Sequence, residues 1–242
     1  MSTRNLLGAI LALAVVGLAA AWWFMTSRGS APDPVPEPTA EVTPEDTAPV
    51  PTESAAGFPI LAIDVAGEAN GTIFVELRPD LAPEHVARVM SLAESGAYDG
   101  VVFHRVIDGF MAQTGDVQYG RVGGDTSMAG MGGSDLPDLN AEFSDASFER
   151  GVMGMARSRS PNSANSQFFL MFAPATHLNG QYTVVGEIAD GLDVLDAIKR
   201  GQGANGAVRG QPDYMADVYV ISQQSDVSTA ADTPAAATAS GN

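Results

Sequence analysis

Between residues 58 and 222 the apolar residues fall into short strand-like runs separated by glycine-rich stretches, and this punctuation limits the fold more than any other feature. The runs at 59–66 and 72–78 alternate apolar and polar positions and are rich in β-branched residues, which suits a pleated surface and not a helix face. Asn70-Gly71 between them is the strongest short hairpin signal a sequence offers, so the domain is predicted to open with a hairpin. Asn70-Gly71-Thr72 also fits a glycosylation sequon, but the flanking strands favour the turn. Further runs lie at 101–107, 110–113, 151–156, 167–173, 182–188 and 216–222, about eight strands in all. Two helices are predicted. Residues 83–95 place Val86, Val89, Met90 and Ala93 on one face after Pro83, and residues 192–200 do the same with Leu192, Leu195 and Ile198 before Gly201. Strands without regular helix alternation favour a closed eight-stranded antiparallel β-barrel with the two helices plugging its ends.

The rest of the chain is of other kinds. Residues 6–25 form an uncharged run of 20 residues, about 30 Å as a helix, which is one hydrocarbon thickness. Trp22 and Trp23 suit the far interface, and Arg4 with the amino terminus supplies the near-side charge, an orientation that exports everything after residue 28. A secretory signal cut near Ala19 to Ala21 is the competing reading, but the bulky Trp-Trp-Phe-Met end favours an uncleaved anchor. Residues 30–57 carry six acids, no base and seven prolines, a composition expected to stay an extended, disordered linker reaching about 85 Å. Residues 223–242 read as a disordered tail. The expected organisation is therefore 1–29 membrane anchor, 30–57 linker, 58–222 globular domain and 223–242 tail.

Charge and composition exclude several functions. With no cysteine, disulfides, thiolate zinc sites, Cys nucleophiles and lipoprotein anchors are ruled out. Residues 58–222 hold 21 acids against 10 bases, so binding to a phosphate backbone would be repulsive and nucleic acid is not an expected partner. The only histidines are His85, His104 and His177, and no hydrolase elbow, zincin, Walker or EF-hand spacing accompanies them. No metal or cofactor is expected. His85 on a surface helix and His177 in a loop read as structural or solvated, and the glycine-rich stretches at 120–124 and 130–133 read as turns.

The densest signals are F-H-R-V-I-x-G-F-M-x-Q-x-G-D at residues 103–116 and M-A-R followed by N-S-x-x-S-Q-F-F at residues 155–169. With these motifs the sequence resembles the cyclophilins, barrel-type peptidyl-prolyl isomerases, over essentially all of residues 59–222. The resemblance implies a proline site lined by Arg105, Phe110, Met111, Gln113, Gln167 and Phe169, with Leu178 and Tyr182 nearby. It also implies that backbone groups at Ala156 and Arg157 bind an extended proline-containing peptide. In this reading Arg105 is catalytic, Gln113 bonds the substrate carbonyl, and Phe110, Met111, Phe169 and Leu178 hold the ring. His104 neighbours Arg105 on a strand, so it is expected on the opposite face in a structural role.

Three positions depart from the family pattern. His177 stands where many eukaryotic members carry a tryptophan linked with cyclosporin binding, which implies weak inhibition by that drug. Tyr182 replaces a frequent histidine, and Arg157 replaces a frequent asparagine. The combined expectation is a monomeric prolyl isomerase, held in a bacterial inner membrane through residues 6–25 and facing the periplasm or cell exterior. A proline-peptide scaffold with incidental turnover is the alternative. A barrel enclosing a small ligand is disfavoured because inward bulky residues would fill it.

Overall fold

Nine strands form one antiparallel sheet in this computed structural model, which describes residues 57–221. The predicted anchor at 6–25, the linker up to residue 56 and the tail from 223 lie outside the described residues. Among the described residues no helix is long and apolar enough to cross a membrane.

Strands β1 (Ile60–Ala66) and β2 (Gly71–Leu77) make the predicted hairpin, with Ile60 opposite Glu76 and Val65 opposite Gly71. The turn, however, is not the two-residue Asn-Gly type. Residues 67–70 form the loop because Asp213 accepts hydrogen bonds from the Glu68 and Ala69 amides at 2.5 and 3.2 Å, and Asn70 Nδ2 donates to the Gly67 carbonyl at 3.1 Å. Gly71 begins β2 at φ +139°, where a Cβ would meet Val194 Cγ2 at 2.7 Å.

Helix α1 (Pro83–Glu94) buries Val86, Val89, Leu92 and Ala93 and packs against the last strand. Its Ala82 cap offers no side-chain acceptor, so the first-turn amides need a partner from elsewhere. Glu142 supplies it, accepting from the Glu84 and His85 amides at 3.2 and 3.0 Å and lying 2.6 Å from His85 Nδ1. The surface position expected for His85 is therefore wrong: the side chain is fully buried. Burial pushes the Glu142 carboxyl up, but its bonds to His85 and Glu84 outweigh this and hold it below the usual range.

The remaining strands are β3 (Val101–Val102), β4 (Arg105–Ile107), β5 (Met111–Thr114), β6 (Val152–Met155), β7 (Phe168–Met171), β8 (Val184–Asp190) and β9 (Tyr214–Ile221). The sheet order is β3-β9-β1-β2-β8-β6-β7-β5-β4. The expected eight strands become nine because the run 101–107 breaks at Phe103-His104, and its two halves become the two edges of the sheet. Loops cover both edges. Val102 donates to Gly120 at 2.7 Å on one side, and Val106 donates to Gly206 at 2.7 Å on the other. The expected closed ring is thus a curled sheet with loop-covered edges. Helix α2 (Leu192–Ala197) stops short of the predicted residue 200, since Asp213 takes the Lys199 amide at 2.7 Å and Ile198 turns out at ψ 129°.

Register turns this curl into two functional rows. Val106, Ala112, Leu170 and Met153 are paired across β4, β5, β7 and β6, all fully buried in the main core with Leu61, Val75 and Phe103. One residue away on the same strands, Arg105, Gln113, Phe169 and Gly154 form a second row on the opposite face.

Candidate active site

The outer row lies under a floor of aromatic rings. A Cβ at Gly154 would fall 2.5 Å from Phe148 Cε1 and 2.6 Å from Phe169 Cζ, so only glycine lets those rings lie across β6. Phe148 and Phe169 stack at 5.8 Å, and Tyr182 meets both edge-on at 6.5 and 5.9 Å. A cavity of about 440 Å³ opens over this floor. Nine of the ten residues expected at the site line it: Arg105, Phe110, Met111, Gln113, Ala156, Arg157, Phe169, Leu178 and Tyr182. Gln167 does not, but it is bonded to one that does.

A directed chain of hydrogen bonds fixes the polar side. Arg105 Nη1 donates to Gln113 Oε1 at 3.0 Å, Gln113 Nε2 to Gln167 Oε1 at 2.9 Å, and Gln167 Nε2 to the Gly132 carbonyl at 2.7 Å. Arg105 Nε donates to the Asn205 carbonyl at 3.0 Å. Among the described residues nothing accepts from Arg105 Nη2, which leaves both of its N–H groups open. One N–H of Gln113 Nε2 is likewise uncommitted. Burial lowers the Arg105 pKa, an effect opposed by the nearby Tyr182, and a guanidinium stays charged throughout the physiological range.

A second cavity of about 430 Å³ adjoins the first and shares Gln113, Ala156 and Arg157 with it. Its walls are polar. The stretch 130–133, expected to be a plain turn, forms one of them, held by the buried Asp116, whose Oδ2 accepts from the Gly130 and Gly132 amides at 2.7 and 2.9 Å. Asp116 Oδ1 accepts from the Gln118 and Tyr119 amides at 3.1 and 2.9 Å, so the carboxylate is satisfied without a cation.

His104 lies at the break between β3 and β4, not within a strand as expected, and lines a separate cavity of about 280 Å³. Among the described residues no protein group hydrogen-bonds to either ring nitrogen. Burial pulls its pKa down to about 4, partly opposed by Asp116, so the ring is neutral at pH 7.

Several members of the site had no expected role. His177 is exposed but lines the cavity, its ring 5.8 Å from Phe110. Phe148, Gln181 and the carbonyls of Gly132 and Asn205 were not anticipated. Phe148 shares its polar stretch with Phe143, so composition alone did not single it out, and backbone acceptors leave no sign.

Comparison with known proteins identifies the family of the domain. The family described as cyclophilin-type peptidyl-prolyl cis-trans isomerase matches residues 61–220. A probable peptidyl-prolyl cis-trans isomerase of Brucella suis is 59% identical over 143 residues, which is 58% of this chain and 73% of the relative. The crystal structure of a cyclophilin from Hirschia baltica matches with a TM-score of 0.53 at 25% identity, covering 66% of this chain and 72% of that one. That of a Cryptosporidium parvum cyclophilin-type isomerase, solved in the presence of the dipeptide Ala-Pro, matches with a TM-score of 0.56 at 24% identity over 66% and 98% of the two chains. With the family matched over residues 61–220, which include both rows of the sheet and the cavity over the outer one, the chain belongs to the cyclophilin-type peptidyl-prolyl cis-trans isomerases.

Proposed function

We propose that Arg105 lowers the barrier to rotation about X-Pro bonds by donating from Nη2 to the proline nitrogen of a peptide seated in the 440 Å³ cavity. Planar amide resonance sets that barrier at about 18–20 kcal/mol, and an unaided X-Pro bond relaxes over tens to hundreds of seconds. Reaching a turnover of about 10² to 10³ per second requires removing about 6 kcal/mol. In the twisted state the nitrogen regains its lone pair, so a fixed cation donating there stabilises that state over either planar one. One such donor is worth about 3 to 4 kcal/mol. Poor solvation of the amide among Phe110, Met111, Phe169 and Leu178 favours the less polar twisted form and supplies more. Gln113, oriented by Arg105 and Gln167, holds the substrate carbonyl with its remaining N–H. The peptide continues along Ala156 and Arg157 toward the polar cavity. No proton or electron moves, so the step needs no cofactor.

The single observation behind this reading is the open Nη2 of Arg105 at an apolar cavity. A spectroscopic or protease-coupled assay on an Ala-Pro tetrapeptide tests it: Arg105→Ala should remove most of the acceleration, and undiminished turnover rejects the mechanism. Residues 6–25 and the acidic, proline-rich segment after them support placing this activity outside the cytoplasm on a membrane tether. Membrane fractionation should find the intact chain in the pellet; a soluble product beginning near residue 22 would instead indicate a cleaved signal.

A further inference from the structure

Tyr182 is a half-buried wall of the 440 Å³ cavity, and its ring stands nearly perpendicular to those of Phe148 and Phe169, at 84° and 82°. The guanidinium of Arg157 covers that ring, with Cζ 4.4 Å from its centroid. The same group donates from Nε and Nη2 to the Gln181 carbonyl at 3.3 and 2.9 Å, and from Nη1 to the Ser158 and Arg159 carbonyls at 2.9 and 3.4 Å. Gln181 immediately precedes Tyr182, so one planar cation restrains both the backbone and the ring of this wall. It also ties that segment to the one leaving β6. In a domain rich in carboxylates a surface arginine would ordinarily pair with one, yet among the described residues Arg157 makes no ion pair. Its donors go to carbonyls and its face to the ring.

We propose that Arg157 and Tyr182 act as one positioning unit that sets how tightly the site grips the proline ring. Arg157 works through Tyr182. It clamps the aromatic wall against Phe169, while Arg105 lowers the barrier independently. The inference rests on the 440 Å³ cavity being the proline site. A lysine could not replace the arginine, because an ammonium lacks the flat fork that stacks and reaches several carbonyls together.

The test is a double-mutant cycle on the full chain with Arg157→Ala, Tyr182→Ala and their combination, reading KM and kcat on an Ala-Pro tetrapeptide. A cation stacked on an exposed ring predicts that Arg157→Ala raises KM about two- to fivefold while kcat changes less. The double variant should then be no worse than Tyr182→Ala alone. Arg157→Lys should resemble Arg157→Ala. A loosened wall should also narrow the preference for proline over its six-membered analogue, pipecolic acid, a ratio that a change in global stability does not move. If Arg157→Ala melts below assay temperature, Arg157→Gln gives the same comparison. Effects that multiply in the double variant, an unchanged KM, or full rescue by lysine overturn the proposal. Undiminished turnover in Arg105→Ala overturns the proposed function instead, so the two failures are distinguishable.

Discussion

The inner row Val106, Ala112, Leu170 and Met153 and the outer row Arg105, Gln113, Phe169 and Gly154 occupy the same four strands, one residue apart, and do different work. The inner residues are fully buried among apolar neighbours. The outer row carries a cation and an amide bonded to each other beneath an open cavity. Adjacent positions in sequence thus separate the core from the cavity wall, because the pleat sends them to opposite faces. A one-residue slip would put Arg105 in the core and Val106 in the cavity.

Substitutions on the two rows should therefore fail in different assays. Leu170→Ala leaves a cavity in the inner row and should lose about 2 to 5 kcal/mol in chemical denaturation, while kcat/KM per folded molecule stays within a few-fold. Arg105→Ala should do the reverse, lowering kcat/KM about 10²- to 10³-fold with little change in melting temperature. A large loss of stability there, or lost turnover in folded Leu170→Ala, would break the division.

His104 sharpens the boundary by pH. Its pKa is about 4 when folded against an ordinary 6.5, so between those values the unfolded chain binds a proton that the folded chain does not. Stability should be intact above pH 6.5 and decline toward pH 4 by up to about 3 kcal/mol, and His104→Gln should flatten that decline in denaturant midpoints measured across pH. Protonation of Glu142 acts with the same sign at the lower end, since its folded pKa is depressed. The smallest effect belongs to a surface pair outside both rows. Asp196→Asn breaks the ion pair with Arg150 and should shift stability by no more than about 0.5 kcal/mol, with activity unchanged.

Much of this was legible beforehand, and the misses have physical causes. Period-two runs marked the strands, and the motifs around Arg105 and Gln167 marked the site. The break at Phe103-His104 was hidden because both residues continue a strand-like run; the two halves separate there, one pairing with β9 and the other with β5. The Asn70-Gly71 turn was misread because the loop geometry is dictated by Asp213, more than 140 residues away. Helix α1 reads as a helix, but nothing local announces that Glu142 closes its first turn. The contact between Arg157 and Tyr182 was equally invisible: each could be noted as a departure from the family pattern, but no periodicity connects them.

Strand β9 lies against β1, with Ile221 opposite Ile60, so the first and last strands to be synthesised are interior neighbours in the sheet. The sheet cannot be completed until Tyr214–Ile221 has paired with β1, a contact between segments about 150 residues apart that slows folding. The same adjacency makes the domain a good candidate for circular permutation: a short peptide joining 221 to 60 would relocate the ends without disturbing a single ladder.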